Sequence, residues 1–478
     1  MKRTLDAILD EYAPAGGNGV DDDDRDRATE LANAEAVARQ FGADIRHNFD
    51  TGRFIVFNEQ CWADDTGHVA RCAKAVAKST AERLAGLDAK AVKQFAARAE
   101  SAAGVAGVLT LLKTEPGITV TGEKLDAHDY LLPVENGMLD LSGGDVRLRP
   151  HRREDLFTRC LTTPYHADAK APTWDAFLTR AMDSNADMAG YLQRIFGLCL
   201  TGAANVHELY IPYGCGANGK SVFCDTLLGL LESFAGVAPD SLLVSRNGQT
   251  EHPTELASLK GKRVIIASET ESGATLRLQL VKRLTGDATI TARFMRQNYF
   301  TFKRTHKTML VTNSRPRLTE DTEAVWRRLR VIPFGVTIPP AERDPNLIEK
   351  LRGEYPGILA WAVRGCVDWQ RHGMQPPQEV LIATADYRHE ADELADFISE
   401  RCIVGSATFR VSRIELLAAY TSWARTLNER RPLERGVFYE AIRRREGISD
   451  DKWKISGAAV RGFRGIALAA SNEVANDE

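Results

Sequence analysis

Residues 214–221 read GCGANGKS, the spacing G-x-x-x-x-G-K-S. A glycine-rich turn of this kind bares successive backbone N–H groups to phosphate oxygens, and the following helix adds its positive N-terminal end. Gly214, Gly216 and Gly219 allow the backbone close approach. Cys215, Ala217 and Asn218 complete the loop, and Val222 enters the helix behind it. Lys220 is expected to bridge the β- and γ-phosphates, and the Ser221 hydroxyl to hold Mg²⁺. ATP and Mg²⁺ are therefore the expected ligands. The spacing names a nucleotide without saying what its energy is used for.

Hydrolysis needs a carboxylate on the metal and a group that orients water. About 50 residues downstream, KRVIIASETES offers Glu269 at the end of an apolar, β-branched run, and Glu271 two further on. Ligands in open α/β sheets bind at the carboxyl ends of strands. Both glutamates could equally be surface carboxylates, the usual fate of that residue; their place behind a phosphate loop favours the metal role, shared or single. KTMLVTN forms a further apolar strand ending in Asn313. Its amide suits a γ-phosphate or an attacking water, although NSRP is also good turn chemistry. AVWRRLRVIPF supplies Arg327, Arg328 and Arg330, either surface arginines or a source of transition-state charge stabilisation from a neighbouring subunit.

Residues 282–317 carry nine Lys/Arg and a single acid, Asp287, in a chain whose formal net charge is only −3. Within them, ATITARFMRQNYFTF reads as two β segments around Arg296-Gln297-Asn298. Phe294, Tyr299, Phe300 and Phe302 interleave with the charges. Cations plus aromatic faces grip single strands without reading sequence. Arg293, Arg296, Lys303, Arg304 and Lys307 are the candidate DNA contacts; the plainer reading is a solvated charged face.

These groups need a scaffold. ELYI before the phosphate loop is an apolar strand, expected to stop at Pro212 because proline removes a ladder bond. SVFCDTLLGLLESF after it is a helix with an apolar stripe. Strand-like runs alternate with helices over 205–335, the pattern of an α/β nucleotide-binding core. Upstream, DIRHNFDTGRFIVF reads as a hairpin turning at Asp50-Thr51-Gly52, and an Ala/Lys-rich helical zone runs from Val69 to about Thr114. The expected division is a flexible acidic and Gly-rich stretch at 1–29, an N-terminal α+β domain at 30–170, the ATPase core at 171–345, a helical connector at 346–398 and a small basic domain with tail at 399–478. Eight scattered cysteines without a C-x-x-C pair argue against a zinc ribbon or a thioredoxin-like motif. The acidic N-terminus does not read as a signal peptide, and no apolar run reaches a membrane span. A reducing cytoplasm is the expected compartment, with no membrane partner.

In this order, GCGANGKS, VIIASETE, LTGDATITARFMRQNYFTFKRTHK, MLVTN and WRRLRVIPF resemble a superfamily III helicase of the phage/plasmid and poxvirus primase-helicase group. NGMLDL and YHADAKAPTWDAFL resemble the N-terminal part of the same group, so the resemblance covers roughly residues 45–335. It implies an AAA+-like ring motor, usually a homo-hexamer, that translocates on single-stranded DNA and opens forks. It implies Lys220, Ser221, Glu269 and Asn313 as the ATP site, a DNA-contacting hairpin within about 288–307, and Arg327 or Arg328 acting in trans. The C-terminal segments FYEAIRRREGIS and KWKISGAAVRGFRGIAL resemble a winged-helix domain. Helicase activity without primer synthesis is expected, since no primase-like metal cluster is found. The expectation is a replicative helicase of a phage, prophage or plasmid, with host or phage replication proteins as further partners. An ATP-gated origin-binding and loading scaffold is the alternative.

Overall fold

The computed structural model describes residues 29–84, 89–245, 253–269, 274–296, 298–319, 322–426, 433–455 and 458–469. The acidic stretch read as flexible falls almost wholly outside these residues.

Five short apolar runs form the central sheet: β1 Leu209–Tyr213, β2 Ala235–Ala238, β3 Val264–Glu269, β4 Lys307–Thr312 and β5 Leu329–Pro333. All pair in parallel, in the order β5-β1-β4-β3-β2. Parallel sheets survive only when both faces are covered, which is why these strands read as nearly continuous apolar runs. Tyr210, Val264, Ile266, Met309 and Ile332 point to one face. There they meet helices α1 Pro172–Ala181, α2 Ala186–Cys199, α3 Lys220–Leu231 and α4 Tyr355–His372. Trp174 of α1 is fully buried among Phe177, Phe196, Phe223 and Trp361. Leu209, Ile211, Ile265, Leu310 and Val331 point to the other face, against α5 Gln378–Ala391 and the hairpin residues Ile290, Ala292 and Phe302.

Pro212 does not end its strand. It stands opposite Ile332 of β5, while the β1–β4 ladder pairs Leu209, Tyr210 and Tyr213 but skips positions 211 and 212. The missing N–H falls where that ladder is interrupted.

Two of the expected divisions fall elsewhere. The three-stranded sheet of 131–134, 137–140 and 147–149 shares the core of α1 and α2, through Leu132, Val134, Met138 and Leu139. The separate N-terminal core holds Ala34, Val37, Ile45, Val69, Val108 and Ile118. The helices at 346–391, expected as a connector, are structural members of the sheet's two cores, since Leu359, Trp361 and Cys366 lie in one and Ala383 and Tyr387 in the other.

In the N-terminal unit the hairpin Ile45–Asn48/Arg53–Phe57 turns where expected, and the helical zone resolves into His68–Leu84, Ala89–Ala99 and Ala102–Leu112. Among the described residues no single helix is long and apolar enough to cross a membrane. The C-terminal unit packs α6 Arg413–Thr426 and α7 Arg435–Arg443 on an antiparallel sheet of 410–412, 458–464 and 449–455. Its own core includes Phe397, Leu416, Tyr420, Phe438 and Phe463.

Candidate nucleotide site and basic hairpin

Strand register brings the sequence-predicted groups together. Tyr213 pairs with Thr312, Thr312 with Glu269, and Pro333 with Tyr213. The phosphate loop leaves directly from Tyr213 and Asn313 follows Thr312. Loop, carboxylate and amide therefore share one carboxyl edge of the sheet, the edge at which open α/β folds take ligands.

The loop is built to stay open. Gly216 and Gly219 adopt φ values of 99° and 91°, and Ala217 follows at 49°. A Cβ on Gly214 would lie 2.3 Å from Asn218 Nδ2 and 2.4 Å from the Phe334 carbonyl. Asn218 is buried and donates to that carbonyl at 3.1 Å, tying the loop to the end of β5. The Ile338 amide donates to the Ala217 carbonyl at 2.8 Å. Lys220 is 4% exposed, and its ammonium donates to the Gly214 carbonyl at 2.6 Å and to Asn218 Oδ1 at 3.0 Å. Burial pulls its pKa below the ordinary lysine value. A cation held by one backbone carbonyl and one side-chain amide oxygen suits an incoming polyphosphate, which can replace these neutral acceptors. Cys215, Ala217 and Ser221 are exposed, and Gly216, Gly219 and Val222 half-buried.

Glu269 is 2% exposed and Asn313 exposed. Glu271 lies outside the described residues. A serine hydroxyl and a carboxylate are hard-oxygen donors of the kind that would suit Mg²⁺.

Arg327 and Arg328 sit at the opposite edge. They precede Leu329, which pairs with Leu209, the first residue of β1. Four strand steps, about 13 Å, separate them from their own Tyr213. Arg327 is exposed; Arg328 is half-buried and donates to the Ala324 carbonyl. Arg330 is committed to an ion pair with Glu208 at 2.8 Å.

The basic hairpin splits into two populations. Strands Thr289–Ala292 and Phe300–Lys303 pair antiparallel. Between them Arg293 and Arg296 are exposed, with the Arg293 guanidinium 4.9 Å from the Tyr299 ring centre. Met295 and Tyr299 are 69% and 61% exposed at this tip. Lys303 is exposed but paired with Asp129 at 2.5 Å. Arg304 and Lys307 are corrections: both are buried and face inward. Arg304 donates to the carbonyls of Asp287 and Ala204, at 2.8 and 2.6 Å. Lys307 donates to those of Thr201, Ala203 and Thr305. The carbonyls of Thr201, Ala203 and Ala204 follow the C-terminus of α2, where the helix dipole favours cations. Arg263 adds a third buried cation, donating to Leu200 and lying 4.6 Å over the Phe234 ring.

Sequence reasoning missed Arg315 as a structural clamp. Its guanidinium lies 4.9 Å from the ring centre of Tyr213 and 5.9 Å from that of Tyr387, and it pairs with Glu390 of α5. Nothing local to Arg315 signals partners more than 70 residues downstream.

The family described as D5 N terminal like matches residues 34–183, and a family of unknown function (DUF5906) matches 213–328. The chain is 27% identical over 322 residues to the candidate helicase L207/L206 of Acanthamoeba polyphaga mimivirus, covering 63% of this chain and 33% of that protein. It is 28% identical over 208 residues to the candidate helicase 022R of Frog virus 3, covering 39% and 21%. It is 24% identical over 296 residues to the candidate helicase 184R of Invertebrate iridescent virus 6, covering 58% and 29%. The matched region thus spans a third or less of these relatives' own length. The apo C-terminal region of NrS-1 superposes with a TM-score of 0.49 at 11% identity, covering 92% of this chain and 99% of that one.

Proposed function

We propose that this chain, which belongs to the superfamily III helicases of the phage, plasmid and poxvirus primase-helicase group, is an ATP-driven replicative DNA helicase of a phage, prophage or plasmid. It works as a homo-hexameric ring of AAA+-like cores and translocates on single-stranded DNA. The observation that carries this reading is the row Tyr213–Thr312–Glu269, which sets the phosphate loop, a buried carboxylate and Asn313 at one edge, with Arg327 and Arg328 a strand length away.

In this reading Lys220 exchanges the Gly214 carbonyl for phosphate oxygens. Ser221 and Glu269 hold Mg²⁺, which when bound neutralises charge on the phosphoryl oxygens. Asn313 orients the attacking water. Arg327 or Arg328, too far from its own loop, completes the site of the next subunit. The exposed tip at Arg293–Tyr299 grips the strand.

Purified protein should show ATPase stimulated by single-stranded DNA and displacement of a paired strand, and Lys220→Ala should abolish both. ATPase indifferent to DNA, with no strand displacement, would overturn the helicase reading.

One feature favours the scaffold alternative. In the C-terminal unit Lys452 stands opposite Arg461 where strands 449–455 and 458–464 pair. Like charges across a strand pair are unfavourable unless an anion joins them. Sequence-specific protection of duplex DNA that persists in Arg293→Gln/Arg296→Gln, without unwinding, would support the scaffold.

A further inference from the structure

A cleft of about 1090 Å³ lies between the N-terminal unit and the root of the basic hairpin. It is just above the roughly 300–1,000 Å³ that encloses a drug-sized ligand, room for a short oligonucleotide segment. One wall is the turn after Asn48, where Phe49 is 68% exposed. The other carries Phe294 stacked on Phe300, with ring centres 5.5 Å apart and planes at 20°. An exposed phenylalanine and a stacked pair lining one cleft are costly for a free surface and apt for planar bases.

The cations of this cleft are the second observation. Arg159 donates to the carbonyls of Lys260 and Gly261, and Lys262 donates to the Ser233 carbonyl at 2.9 Å. Burial and the neighbouring Arg159 both lower the Lys262 pKa, so two cations lie close together on neutral acceptors. Lys260 sits 5.4 Å over the Phe300 ring and reaches across to Asp50 at 3.7 Å. Both members of that pair are about two-fifths exposed, so it is a screened contact that a phosphate can displace. The facing acids are otherwise few. Asp126 accepts from the Thr158 amide and hydroxyl at 2.8 and 2.6 Å, and Glu123 is exposed to water.

We propose that this cleft is a second station for single-stranded nucleic acid, in which bases stack on Phe49 and on the Phe294–Phe300 pair while Lys260, Lys262 and Arg159 neutralise the phosphates. The proposal deepens the DNA reading above and rests on it. It makes the N-terminal unit part of the strand's path rather than an appendage.

The test uses the full chain, fluorescein-labelled dT20 and anisotropy across a salt series, with Phe49→Ala, Lys262→Gln and the hairpin variant Arg296→Gln. Phe49 packs little, so its variant should melt with the wild type. Losing one stacked base should weaken binding roughly tenfold. Losing one phosphate contact should reduce the log–log salt slope by about 0.7. A 5-iodo-deoxyuridine oligonucleotide should photocrosslink to the peptide containing Phe49. If Arg296→Gln weakens binding while Phe49→Ala and Lys262→Gln stay within twofold of wild type, the cleft is not on the path, though the hairpin reading stands. If the wild type does not bind dT20, the DNA reading fails and this inference with it. If Phe49→Ala leaves dT20 binding intact but changes the sedimenting species, the cleft is a face between copies and the proposal is overturned.

Discussion

Lys307 was expected on DNA and lies instead at the first position of β4, 3% exposed. Burial pushes its pKa from 10.5 to about 7. In the unfolded chain lysine keeps its proton to about 10.4. Between those values the unfolded chain binds more protons than the folded one, so stability rises with pH. Integrating from pH 7 to pH 9 gives about 2 kcal/mol. For a cooperative unit of 150–250 residues that is roughly 4–8 °C in Tm. His306, fully buried and pushed down to about 3, titrates below this window. Thermal melts of wild type and Lys307→Met at pH 7, 8 and 9 isolate the effect, since other titrating groups cancel in the difference of the two slopes. The wild type should gain about 2 kcal/mol over the variant across the series. Parallel slopes would refute the reasoning, and would mean that the carbonyls of Thr201, Ala203 and Thr305 hold the proton throughout. The same variant should leave the salt dependence of DNA binding unchanged, because its ammonium faces the interior.

Three further outcomes follow from packing and access. Gly214→Ala puts a Cβ against Asn218 and Phe334, displaces the phosphate loop and should weaken a fluorescent ATP analogue at least tenfold; unchanged affinity would show that the loop can yield there. Trp174→Ala removes the centre of the aromatic cluster that backs α3 and should cost about 3–5 kcal/mol in denaturant unfolding. Cys215 is an exposed thiol inside the loop, so saturating ATP should slow its alkylation by N-ethylmaleimide, measured by mass spectrometry.

The phosphate loop was legible because its chemistry is local. Eight contiguous residues set the backbone, and their side chains matter little beyond Lys220 and Ser221. The central strands were legible because a sheet buried on both faces demands continuous apolar runs, as in VIIA and MLVT. Pro212 misled because a proline's cost depends on whether its neighbour ladder needs that N–H, and here positions 211 and 212 are skipped. The 131–149 strands were assigned to the N-terminal unit by proximity along the chain, whereas their leucines and valines pack with Trp174 and its neighbours.

By itself the sequence determined the glycine-rich loop at 214–221, the strands that carry Glu269 and lead to Asn313, the hairpin around Arg296 and the order in which they occur. Only the tertiary structure decided which of the hairpin's similar cations meet solvent. Arg293 and Arg296 flank an exposed tip, while Arg304 and Lys307 turn inward to carbonyls about a hundred residues upstream, at the end of α2. A basic residue looks the same in sequence whether it faces water or a helix terminus. The difference lies in the acceptors that packing brings to it, and those are set by contacts no local spacing encodes.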